Sequence, residues 1–171
     1  MKKVVMMLSL AVLSLGAFAQ HDHSKHQMNG AHGNEMAPEF ENENLGQAYV
    51  KYIALKDALV ASDAGEAEAK AAELVASLSK VENADDAIKS ATNVMKAGSL
   101  EAQRKAFSEL STHMADLVKK ADISAGAVYV EFCPMANGGE GAHWLANEKQ
   151  INNPYFGDKM LRCGKVKETI K

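Results

Sequence analysis

Between Glu39 and Asp122, apolar residues recur every three or four positions, the spacing of the buried face of an amphipathic helix. Leu45, Ala48, Tyr49, Tyr52, Ile53, Lys56, Leu59 and Val60 trace the first such face. Asp63, followed by Glu66, reads as a capping box opening a second helix, whose inner face is Ala67, Ala71, Leu74, Val75 and Leu78. Asn83 is placed to cap a short third helix carrying Ala87, Ile88, Ala91, Val94 and Met95. Gly98 ends it, and Ser99 caps a fourth with Leu100, Phe107, Leu110, Met114, Leu117 and Val118 inside. Short connections make consecutive helices antiparallel neighbours. The expected fold is therefore mainly α: an antiparallel up-down bundle of about four helices. Met114, Tyr49, Tyr52 and Phe107 read as core, and His113 sits at the edge of the fourth face.

After Asp122 the period changes. Ile123 to Gly126 breaks the helix, and Val128 to Phe132 alternates as a short extended segment leading into Cys133. Pro134 keeps Cys133 out of helical geometry. Asn137 to Gly141 reads as a flexible turn, Ala142 to Leu145 as a helical turn or a strand, and Asn152 to Tyr155 as another turn. Asp158 to Cys163 reads as one helical turn stopped by Gly164, which puts Met160 and Cys163 on one face. Residues 129–164 are thus expected to be an irregular Cys/Met/Gly-rich segment completing a domain that spans 41–171.

The front of the chain follows different rules. Lys2 and Lys3, the apolar run Val4 to Leu15 and the small-x-small triplet Ala17-Phe18-Ala19 predict a signal peptide over 1–19. The run is short for a membrane span. The periplasm is the expected destination, with secretion second, and both are oxidising. Residues 20–40 have almost no large apolar side chains and are expected to be a disordered tail. His21, His23, His26, His32, Met28 and Met36 make it either a polar linker or a loose metal collector, since imidazole suits Cu(II) and thioether suits Cu(I).

A net charge of -3 with no basic stripe gives nucleic acid no footprint. No G-x-S-x-G, H-E-x-x-H, phosphate loop or C-x-x-C is present, so a non-enzyme is expected.

The stretches C-P-M-A from Cys133, G-A-H-W-L from Gly141 and N-P-Y-F-G-D-K-M-L-R-C-G from Asn153 resemble the bacterial family known as domain of unknown function 3347. The resemblance runs from about Asn44 to the C-terminus and is most specific over Tyr129 to Gly164. It implies an exported domain, also found fused to periplasmic adaptor subunits of copper and silver efflux pumps. It brings no catalytic residues.

Two sulfur pairs about thirty residues apart point separately to a soft metal. Cys133 and Met135 flank a proline, and Met160 and Cys163 repeat the same donors. Together they suit Cu(I), with Ag(I) or zinc as alternatives, His143 as an extra donor and Trp144 as a cation–π neighbour. The function expected is a periplasmic copper-binding protein that buffers Cu(I) or Ag(I) or delivers it to efflux, with a heavy-metal pump adaptor or another envelope copper protein as partner. The alternative is a Cys133–Cys163 disulfide pinning a helical interaction module with no metal role. Such a bond would close a thirty-residue loop, worth roughly 3–4 kcal/mol.

Overall fold

The computed structural model describes residues 36–171. Four helices form the bundle: α1 (Glu43–Val60), α2 (Ala64–Leu78), α3 (Asp85–Lys96) and α4 (Leu100–Lys119). Each packs on the next, and α4 returns against α1. Three starts are capped as side-chain chemistry demands. Asn42 accepts from the Leu45 N–H at 3.1 Å, Asp63 from Glu66 at 2.9 Å and Ser99 from Ala102 at 3.2 Å. The third start differs from expectation. Asn83 takes a left-handed turn conformation (φ 58°), and Ala84 stands at the cap with no side-chain bond. Asn tolerates that conformation, and Asp85 and Asp86 supply negative charge to the helix start instead.

A row of aromatic rings runs through a core otherwise built mainly of Ala, Leu and Val. Phe40 meets Tyr49 at 5.3 Å, Tyr49 meets Tyr52 at 6.4 Å, and Tyr52 stacks on Phe107 at 5.3 Å. Phe107 meets Tyr155 at 5.9 Å, and Tyr155 meets Trp144 edge-on at 5.9 Å. The row runs from the domain's first strand, through α1 and α4, into the C-terminal segment. Lys56, on the predicted buried face of α1, is indeed buried; its Nζ lies 3.0 Å from Asp57 Oδ1 and 3.3 Å from Glu148 Oε1. The charge is tolerated because it is paired.

The C-terminal segment is more regular than its composition suggests. Strands β3 (Val128–Cys133), β4 (Ala142–Ala146) and β5 (Lys165–Ile170) form an antiparallel sheet with β3 in the centre. The Lys-rich, largely exposed β5 carries too little alternation to be read as a strand, and pairing with β3 supplies what its own residues lack. Glu39–Phe40, placed by sequence at the end of a disordered tail, form β1 and pair with β2 (Ile123–Ala125). Phe40 belongs to the domain because its ring packs on Tyr49. Asp158 to Cys163 is not an α-helical turn. A 3-10 turn covers Gly157–Lys159, and Met160 leaves it with extended φ (−148°).

Arg104 of α4 ties this segment to the bundle. Its guanidinium donates to the Pro154 carbonyl (2.8 Å), the Leu59 carbonyl (2.8 Å) and Ser62 Oγ (2.9 Å). The Leu59 carbonyl belongs to the last turn of α1, where it has no i+4 helical donor and also accepts from the Ser62 N–H at 3.2 Å. No helix among the described residues is long and apolar enough to cross a membrane.

Candidate thiol site

Cys133 ends the central strand β3, and its register partner is Ala142 of β4. Side chains alternate across a sheet, so Cys133, Glu131 and Tyr129 share one face with Ala142, Trp144 and Ala146. Phe132 and Val130 share the other with His143 and Leu145. The Cys133 thiol is fully buried. The segment after β4 brings Cys163 to it from outside, with the two Sγ atoms 2.8 Å apart.

Three features place Cys163. Asn153, buried to 0% exposure, donates from Nδ2 to the Cys163 carbonyl at 2.7 Å and accepts from the Tyr155 N–H at 2.8 Å. The Cys163 N–H donates to the Met160 carbonyl at 3.0 Å. Gly164 follows with φ 147°, and a Cβ there would lie 2.9 Å from the Trp144 ring and 3.1 Å from the Phe132 carbonyl oxygen. Only glycine lets the chain pass this close to the tryptophan. Cys163 itself is half-buried. The hydrogen bond to Cys133 pushes the Cys163 thiol pKa up, and burial adds to the effect.

His143 projects from the face opposite Cys133; it is exposed, its ring lies 4.5 Å from Phe132, and it lines a cavity with Thr112, Asp116, Lys119 and Lys167. It is not brought to the thiols, because one residue along a strand reverses the side chain. Met135 is 56% exposed and lines a separate cavity of about 580 Å³ with Arg104, Tyr155 and Phe156. Met160 is half-buried and meets Cys163 through its backbone carbonyl. Trp144 is fully buried on the same sheet face as Cys133. Met114 is core, and His113 Nδ1 shares a 2.8 Å hydrogen bond with Ser90 Oγ. Met36 is 62% exposed, while His21, His23, His26, His32 and Met28 lie outside the described residues, as does the predicted signal peptide. Among the described residues, no group of three or more His, Cys, Asp or Glu side chains is arranged to hold a metal ion. What the fold does bring together is the pair of thiols, Cys133 and Cys163.

Asn153 and Gly164 are the positioning residues that sequence reasoning read only as turn formers. The signal was available in part: an Asn directly before Pro154 is a common device for side-chain-to-backbone bonding in a turn.

Residues 48–126 match the sequence model of the family described as protein of unknown function, DUF3347. The match supports that family. It covers most of α1 through β2 and ends before β3, so it falls on the helical scaffold rather than on the sulfur-bearing segment where the resemblance is most specific. No curated protein and no solved structure matches the chain.

Proposed function

We propose that this is an exported protein of the bacterial envelope that binds Cu(I), or Ag(I), on the thiol pair Cys133–Cys163. It buffers the ion in the periplasm or passes it to an efflux system through a pump adaptor or another copper protein. It acts as a binding protein and not as a catalyst. The observation that carries this reading is the convergence of two cysteines thirty positions apart to 2.8 Å. Cu(I) is soft and accepts few ligands, so two thiolates suit it, whereas zinc prefers four. With metal–thiolate bonds of about 2.3 Å, a linear site needs sulfurs roughly 4.6 Å apart. Loading therefore moves one sulfur outward, and Cys163 is the one on a surface loop. Met160 and Met135, each on a Cys-bearing segment, are the nearest thioethers in sequence to complete the shell. The histidines and methionines of residues 20–36 collect metal for it.

The test is Cu(I) titration of reduced protein against a chromophoric Cu(I) chelator. The expected result is one tightly held ion per domain, lost in Cys133→Ser and Cys163→Ser. Unchanged affinity in both variants would sink the reading.

A second reading follows from the same spacing. With no third His, Cys, Asp or Glu donor grouped with them among the described residues, the cysteines also suit a disulfide that pins the segment onto the bundle as an interaction module. A bond that forms in the isolated protein and withstands added copper under mild reductant favours it.

A further inference from the structure

The two thiols of the pair are not equivalent. Cys133 has no exposed surface and lies in the central strand of the sheet. Cys163 is half-buried on a connecting segment, with solvent on its outer side. We infer that the pair undergoes thiol–disulfide exchange with low-molecular-weight thiols, with Cys163 as the outer, attacked sulfur and Cys133 as the inner one. This does not depend on copper.

The chemistry is constrained by access. In the oxidised pair, an incoming thiolate attacks Cys163 Sγ from the solvent side. A sulfur–sulfur bond forms between them while the bond to Cys133 breaks. The electron pair leaves on Cys133 Sγ, which takes a proton from solvent. Attack on Cys133 instead would need a path through β3, β4 and the covering segment. The reverse step follows from the same geometry: Cys133 attacks Cys163 Sγ of the mixed disulfide and expels the small thiolate. Cys133 Sγ sits 2.8 Å from Cys163 Sγ, so its attack is intramolecular while opening needs an incoming thiol, and closure outruns opening. The mixed disulfide is therefore short-lived in the parent chain. Its lifetime depends on Asn153, which holds Cys163 within reach at 2.7 Å from its carbonyl.

The experiment uses glutathione disulfide on the purified, reduced chain and on its single-cysteine variants, followed by mass spectrometry. In Cys133→Ser, a glutathione adduct accumulates on Cys163. In Cys163→Ser, the adduct on Cys133 forms at least ten-fold more slowly. In the parent, the adduct is transient, and the end state is the internal disulfide with two glutathione thiols released per chain. Equal adduct rates in the two variants, or a persistent adduct on the parent, would overturn the inference. A variant that folds poorly does not blur the result. Brief alkylation of the reduced parent with peptide mapping reports the same asymmetry, with Cys163 labelled first, and equal labelling of the two overturns it.

Discussion

Asn153 holds Cys163 from inside the protein: its buried amide donates to the Cys163 carbonyl at 2.7 Å while its carbonyl oxygen accepts from the Tyr155 N–H. Asn153→Ala leaves the buried Tyr155 N–H and the partly buried Cys163 carbonyl without these partners, each loss costing about 1–3 kcal/mol. We expect roughly 2–4 kcal/mol of destabilisation by urea denaturation of the reduced protein. Disulfide closure between Cys133 and Cys163, followed by loss of free thiol, should slow in parallel. A stable variant with unchanged closure rate would remove Asn153 from the site.

Gly164 gives a sharper separation of site from scaffold. Its φ of 147° and the 2.9 Å approach to Trp144 leave no room for a methyl group. Gly164→Ala should cost about 1–3 kcal/mol and change the fluorescence of the single tryptophan, whose ring must shift. Because the neighbouring residue is Cys163, the same variant should weaken Cu(I) retention, while Gly98→Ala, where no atom lies within 4 Å, should leave it unaltered.

Lys56 and Glu148 join α1 to the C-terminal segment. Burial lowers the Lys56 pKa, but attraction to Asp57 and then Glu148, with hydrogen bonds to both, more than offsets this and leaves it above the ordinary 10.5. A raised pKa in the fold means that the contribution is fully present below pH 10.5 and fades only as pH rises through the folded value. At pH 7, Glu148→Gln should therefore destabilise by about 1–3 kcal/mol. Lys56→Met should cost less, because it removes the buried charge along with its partner's task. Equal losses for the two would argue against this account.

His143 titrates in the opposite sense. Although the residue is exposed overall, partial desolvation of its ring, packed 4.5 Å from Phe132, then Lys167 and Lys119, hold its pKa below the ordinary 6.5, with Glu168 acting against them. The fold favours neutral imidazole, so the contribution of His143 is complete above pH 6.5 and is lost as pH falls through 6.5 toward the folded value. Nuclear magnetic resonance should place the His143 midpoint below 6.5, and Lys167→Ala should raise it. A midpoint above 6.5 would contradict the geometry. Since His143 faces away from Cys133, its titration should not follow addition of Cu(I).

The helices were legible from the chain because each buries one face, and a period near 3.6 needs only local residues to be seen. Their caps were legible at Asp63 and Ser99 for the same reason. Asn83 misled because Asn serves both as a cap and as a left-handed turn residue, and its φ of 58° is the second of these. The strand β3 showed through its β-branched and aromatic run. The strand β5 did not, since Lys165 to Ile170 owes its conformation to pairing with residues 33 to 42 positions earlier.

By itself, then, the sequence determined four amphipathic helices, an extended run into Cys133, and two cysteine–methionine pairs set in turns. Tertiary structure decided which of those donors meet. A strand reverses its side chains at every residue, so pairing β4 to β3 in one register sent Trp144 to the Cys133 face and His143 to the other. The bond from Asn153 and the tight passage at Gly164 then brought Cys163 to Cys133, a contact across thirty residues that no local pattern encodes.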